Sequence, residues 1–198
     1  EWELAGGEVF CAPQAVMTYS HRGYQGVSRQ LHHFVREHIV RGEWKHKERP
    51  ILINSWEAMY FDVQEKKLLR LAKVAAETGI ELFVLDDGWF GKRNNDASSL
   101  GDWYDNKEKL PEGLAGLSQK LHKLGMKFGI WVEPEMVSED SDLYREHPDW
   151  AVRIPGKEHA FGRNQMILDL TRQEVREYII ESMSDVFTRG QVDYVKSD

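Results

Sequence analysis

Residues 62–87 read DVQEKKLLRLAKVAAETGIELFVLDD, and this stretch decides the fold. Asp62-Val-Gln-Glu65 has the form of a capping box, which predicts a helix start. Leu68, Leu69, Ala72, Ala75 and Ala76 then recur at helical spacing and mark a buried face. Gly79 is placed to end that helix in the left-handed conformation. The run that follows, ELFVLDD at 81–87, is almost continuously apolar until its last two residues, as in a parallel strand covered on both faces.

The same order repeats to either side. Further strands are predicted at ILINSW (51–56), MKFGIWVE (126–133) and VDYVKSD (192–198). Leu114, Leu117, Leu121 and Leu124 form a helical face that stops before Gly125. Thr171-Arg-Gln-Glu174 is a second capping box; Val175, Ile179, Met183 and Val186 continue its helix, and Gly190 ends it. Strand, helix, glycine, strand, in repetition, predicts βαβ units and a parallel sheet. Residues 1–49 differ: WELAGGEVFCAP has strand-and-turn character, and SRQLHHFVREHIVR (28–41) reads as a short helix. This divides the chain into 1–27, the edge of a preceding β domain; 28–49, a connector; and 50–198, the α/β part. The opening EWELAGGEVF begins directly in strand-like sequence, so the chain is expected to be an excerpt of something longer.

Composition excludes several classes. With 41% hydrophobic and 30% charged residues in 198, the chain reads as globular and not disordered. A net charge of −7 argues against nucleic acid or an anionic membrane as partner. No apolar stretch approaches the ~20 residues needed to span a bilayer, and no signal-peptide pattern opens the chain. The single cysteine, Cys11, excludes an internal disulfide and fits a reducing, cytoplasmic compartment. Neither GxGxxG nor GxxxxGK[ST] occurs, so no nucleotide cofactor is expected.

Polar chemistry collects at the strand ends: Asn54-Ser-Trp56, Asp86-Asp-Gly-Trp89, Trp131-Val-Glu133 and Lys196-Ser-Asp198. In parallel α/β proteins ligands sit at the carboxyl ends of the strands. Paired carboxylates among several tryptophans suit a sugar, whose hydroxyls need acceptors and whose C–H faces stack on indole. A hard-metal site using Asp86, Asp87 and Glu133, or a capping turn, is the competing reading of the acids. Trp56, Trp89 and Trp131 each read singly as core aromatics, and Glu133 as a residue bonding loop backbone. His32, His33 and His38 lie on the connector helix without a third spaced metal ligand. Adjacent Asp86 and Asp87 repel each other and need compensation; Arg163 reads singly as a surface cation, and Lys196, on a buried strand, needs a partner, with Asp198 facing the same way.

RPILINSWEAMYFD, LFVLDDGWFGKRNND, LGDWYDN, KLPEGLAGLSQKLHKLGMKFGIWVEPEMV and YVKSD together resemble the α-galactosidases of glycoside hydrolase family 36. The resemblance runs nearly end to end, with 1–49 resembling the last stretch of that family's N-terminal β-sandwich domain. It implies the first half of a (β/α)8 barrel and a retaining mechanism on terminal α-linked galactose, as in melibiose and raffinose. By position, Asp198 would be the nucleophile, while Asp86 and Asp87 would bind galactose hydroxyls. Trp56 and Trp131 would shape the subsite, and Arg163 and Lys196 would contact the sugar or orient the nucleophile; galactose hydroxyl donors, with Lys196 and Arg163 as the nearby cations, would offset the paired acids. No metal or other cofactor is implied. Ser197 stands where the family carries an aromatic, a change that would open the site or loosen its packing. The family's acid/base lies on a strand later than Asp198, so this chain alone is expected to be nearly inactive. It is also expected to leave sheet edges at 51–56 and 192–198, to be completed by a complementary half-barrel. The resemblance further implies a homotetramer. A raffinose-synthase-like transglycosidase, an α-N-acetylgalactosaminidase and a non-catalytic galactose-binding module are the alternatives.

Overall fold

From residue 51 onward the apolar runs become parallel strands. The computed structural model describes residues 3–154 and 156–198. The chain divides into two units, Glu1–Arg49 and Pro50–Asp198. In the first, helix α1 spans Gly23–Phe34 and runs into a wider π-type turn at Val35–Ile39. It therefore begins earlier than the apolar spacing suggests. Residues 3–22 hold no helix and no strand, although their sequence is strand-like. A strand needs a neighbour for its N–H and C=O groups, and among the described residues 3–22 join no strand pair. Residues 1 and 2, where the expected β-domain edge begins, lie outside the described residues.

The second unit opens with β1 (Leu52–Asn54), the one-turn helix α2 (Trp56–Met59), α3 (Glu65–Glu77) and β2 (Leu82–Leu85). It continues with α4 (Gly113–Lys123), β3 (Lys127–Val132), β4 (Met136–Val137) and α5 (Asp142–Glu146). β5 (Met166–Ile167), α6 (Gln173–Gly190) and β6 (Tyr194–Ser197) complete it. The four long strands pair in parallel in the order β1-β2-β3-β6, as the repeats predict. β4 and β5 form a separate antiparallel pair on the long connection from β3 to α6. Sequential parallel strands with helices between them are the arrangement of the first half of a (β/α)8 barrel.

Register sorts the side chains into two faces. Asn54 lies opposite Val84, Val84 opposite Gly129, and Gly129 opposite Tyr194. Alternation then puts Asp86, Trp131 and Lys196 on that same face one step further toward the carboxyl end. The residues between, Phe83, Leu85, Phe128 and Ile130, face the helices. There they join Leu68 and Ala72 of α3, Leu114 and Leu117 of α4, and Met183 and Val186 of α6 in one buried core. Each fully buried Leu or Phe contributes about 1.5–3 kcal/mol of transfer free energy, so the sheet's outer face anchors it and frees its inner face for polar ends.

Three details of the helix termini differ from the sequence reading. Asp62 does not cap α3: Gln64 is the N-cap, and the Asp62 carboxylate binds Lys67 and the Gln64 amide instead. Thr171 likewise donates its hydroxyl to Asp169 (2.6 Å), and α6 starts at Gln173 without a side-chain cap. Gly79 and Gly125 do follow their helices with positive φ, at 89° and 78°. At the end of α6, however, the left-handed residue is Gln191, and Gly190 stays helical.

Gly129 is the narrow point of the sheet. A Cβ there would meet Tyr194 Cδ1 and Val84 Cγ2, both at 3.0 Å. Gly129→Val is expected to wedge β3 away from its neighbours and destabilise the protein by about 1–3 kcal/mol, with Gly129→Ala costing less. A shift of the denaturation midpoint measures this, and an unchanged midpoint for the valine variant would contradict it.

Candidate active site

Asp86 ends β2 on the sheet's inner face and is 3% exposed. Its Oδ2 accepts hydrogen bonds from the Asn54 amide, at the end of β1, and from Lys196 Nζ (3.0 Å), near the end of β6. Its Oδ1 accepts from the Asp87 N–H (2.9 Å), and its own N–H donates to Ser55 Oγ (3.0 Å). Lys196 also lies 3.6 Å from Asp198 Oδ1, so one ammonium links two carboxylates. Burial works against the Lys196 charge, but the hydrogen bond and the charges of Asp86 and Asp198 outweigh it and hold its pKa above the ordinary lysine value. The structure thus brings Asp86, Lys196 and Asp198 together as the sequence expects, and adds Asn54.

Asp87 is compensated otherwise than expected. Its partner is Arg93, a 2% exposed residue in the loop after β2. Arg93 Nε donates to Asp87 Oδ1 and Oδ2 (3.0 and 3.2 Å), and Nη2 donates to Oδ2 (2.9 Å). Nη1 donates to the Ser98 carbonyl (2.9 Å), and the guanidinium lies near the Phe61 and Phe90 rings. This is the bidentate fork geometry that arginine offers a carboxylate. Arg163 makes no ion pair with either aspartate among the described residues. The available signal was the demand itself: two adjacent acids need two cations, and the loop GKRNND supplies one within a few residues. Only the loop's return path reveals which.

Arg163 sits instead at the tip of a tight turn. Gly162 and Gln165 exchange backbone hydrogen bonds (3.0 and 3.1 Å), and Arg163 and Asn164 between them have φ of 53° and 63°. Two consecutive left-handed residues make a type I′ hairpin, which suits Asn well and a long side chain poorly. The turn aims the buried Gln165 at Glu133, whose Oε1 accepts from Gln165 Nε2 (2.9 Å). Burial pushes the Glu133 carboxyl above the ordinary value of 4.5, opposed by the Gln165 hydrogen bond and the Arg163 charge. Glu133 thus bonds a side chain, not the loop backbone.

The tryptophans separate by exposure. Trp56 is half-buried at the start of α2, its N–H held by Asn54 Oδ1 (2.7 Å) and its ring edge-on to Tyr60 and Phe61 at 5.1 Å. Trp131, on the same face as Lys196, is 3% exposed, stacked on Phe90 and tilted against Trp103. It backs the site without offering an open stacking surface. Trp89 is core, as its single reading suggests, with Nε1 donating to the Trp131 carbonyl (3.0 Å). Among the described residues no three His, Cys, Asp or Glu side chains are grouped to hold a metal ion.

The melibiase family model matches residues 9–198. The chain is 52% identical over its whole length to the α-galactosidase AgaA of Geobacillus stearothermophilus, covering 27% of that protein. It is also 52% identical to the bifunctional α-galactosidase/sucrose kinase AgaSK of Mediterraneibacter gnavus, covering 21% of it. The chain therefore spans roughly a quarter of the length of these relatives. A solved structure of a GH36 AgaA variant in complex with raffinose superposes with a TM-score of 0.85 at 52% identity, over 87% of this chain and 24% of that one.

Two measurements probe this electrostatic arrangement. Arg93→Met strands the buried Asp87 charge and is expected to cost about 3–5 kcal/mol, much of it recovered when Asp87→Asn is added; equal destabilisation of single and double variants would refute the pairing. For Glu133, the raised native pKa means that protonation favours the folded state. That stability is present below the ordinary value of 4.5 and is lost as pH rises through the native value. The melting temperature of Glu133→Gln relative to the parent should therefore be higher at pH 7 than at pH 4, and a pH-independent difference would contradict it.

Proposed function

The chain belongs to the melibiase family, and we propose that it supplies the sugar-recognising and nucleophilic part of a retaining α-galactosidase active site. The observation that carries this reading is the junction of Asp86, Lys196 and Asp198 at the carboxyl ends of β2 and β6. Two carboxylates share one ammonium there, beside the Asn54 amide. In this reading Asp86 and Asp87 accept galactose hydroxyls, and Trp56 and Trp131 shape the subsite. Arg163 contacts the sugar from its hairpin, Lys196 orients the nucleophile, and Asp198 attacks the anomeric carbon.

Retention requires a second carboxyl group about 5–5.5 Å from the first, protonating the leaving oxygen and then activating water. Asp86 already accepts from Asn54 and Lys196, and Asp87 from the Arg93 fork, so both carboxyl groups are engaged by donors of the chain itself. The acid/base is expected from a later strand of the whole protein. Terminal α-galactosides of the raffinose and melibiose type are the proposed substrates, with no cofactor taking part. Assembly as a homotetramer and a cytoplasmic location rest on the family resemblance and the single cysteine.

The test uses the whole protein that carries this chain. It is expected to release p-nitrophenol from p-nitrophenyl α-galactoside, and Asp198→Asn should lower kcat by on the order of 10⁴-fold. Undiminished turnover in that variant removes Asp198 from the nucleophile's role.

A further inference from the structure

We propose that Lys109 is a positioning residue for sugar recognition, holding through three backbone carbonyls the segment that presents Asp87. The inference rests on the reading of Asp87 as a hydroxyl acceptor.

The Lys109 ammonium donates to the carbonyls of Gly88 (2.7 Å), Arg93 (2.7 Å) and Phe61 (3.2 Å). An ammonium has three N–H donors, and here backbone oxygen takes all of them. No carboxylate pairs with Lys109 among the described residues. Holding a lysine side chain in one conformation costs up to about 2 kcal/mol of rotamer entropy. Burial opposes its charge as well, pulling its pKa below the ordinary lysine value, with the charges of Asp87 and Asp62 acting the other way. A surface lysine needs none of this.

The three carbonyls lie on two stretches of chain, Gly88 and Arg93 in the loop after β2 and Phe61 between α2 and α3, and each is tied to a site residue. Gly88 follows Asp87 directly and has φ of 100°, a conformation that side chains other than glycine's rarely adopt. Arg93 is the residue whose guanidinium grips Asp87. The ring of Phe61 stands edge-on to Trp56 at 5.1 Å. The base of the lysine is fixed too. Its N–H donates to Asn106 Oδ1 (3.1 Å), its carbonyl accepts from the Glu65 N–H at the start of α3 (3.0 Å), and the Asn106 N–H donates to the Trp89 carbonyl (3.1 Å). The ammonium therefore ties the backbone after Asp87, the backbone of its counter-cation and the backbone behind Trp56 to one point. A residue that only braced the fold would act alike whatever stood at position 87; a residue that positions Asp87 loses its effect once that carboxylate is gone.

Kinetics of the whole protein on p-nitrophenyl α-galactoside separate these. Lys109→Met is expected to raise KM roughly tenfold while kcat stays within about threefold, the pattern of lost uniform binding. In an Asp87→Asn background the same substitution should change KM by less than about twofold. Ethylammonium added to Lys109→Ala should restore part of the parent KM. If Lys109→Met fails to fold, Lys109→Arg gives the same reading: its planar fork keeps the charge but cannot aim at three carbonyls, so KM should rise. A KM effect equal in both Asp87 backgrounds overturns the proposal, as does a parent-like KM in a folded Lys109 variant. If Asp87→Asn alone leaves KM unchanged, the hydroxyl-binding reading falls, and the role of Lys109 with it.

Discussion

Two carboxylates on adjacent residues set the terms for this structure. Asp86 and Asp87 are 3% and 7% exposed at the end of a strand whose other residues are fully buried. Neither charge tolerates such burial alone. The chain gives them separate compensation from separate places. Asp86 lies on the sheet's inner face and takes Asn54 from the adjacent β1 and Lys196 from β6, across β3. Asp87 turns to the loop beyond and takes Arg93. The parallel order matters to the first solution, because it brings the ends of β1, β2 and β6 to one side of the sheet. The loop after β2 matters to the second, because only its return carries Arg93 back to the acid.

That loop is therefore more than a connection. Its course is fixed by backbone bonds from Gly91 to Tyr104 and from Ser99 to Asp140. Lys109 and Asn106 fasten its two ends to the carbonyls near the acids. The aromatic cluster of Trp89, Phe90, Trp103 and Trp131 fills the space beneath. Hydrophobic burial and polar satisfaction act on the same residues here: Trp131 contributes its ring to the cluster and its carbonyl to Trp89.

How much of this the sequence discloses depends on the range of each interaction. Strands 81–87 and 126–133 were legible because continuous apolar runs reflect burial on both faces, a property local to the segment. The clustering of polar residues at strand ends was legible for the same reason, since register follows from period. Caps were less so. Asp62 and Thr171 have capping residue types, yet their side chains are used by Lys67 and Asp169, and the helices begin two or three residues later. That Asp87 needs a cation is legible, but which cation is not. Arg163 and Arg93 are both arginines in loops near the site, and only the hairpin, which turns Gln165 onto Glu133 and leaves Arg163 at its tip, separates their roles. Gly190 is not the left-handed stop its position suggests, and its constraint lies across the core: a Cβ there would meet Val192 at 3.0 Å and Leu114 of α4 at 3.5 Å.

The two cations also differ in kind for a geometric reason. Asp87 has one charged partner, and a planar guanidinium can satisfy both of its oxygens at once while spending a further N–H on Ser98. Asp86 and Asp198 lie on neighbouring regions of the inner face and share theirs. A guanidinium forked onto one of them would be poorly aimed at the other, whereas an ammonium has three donors on a single atom. Lys196 reaches Asp86 at 3.0 Å and Asp198 at 3.6 Å from that one position. Arginine where a single carboxylate must be held, and lysine where two must be joined, is the division that the geometry of the acids requires.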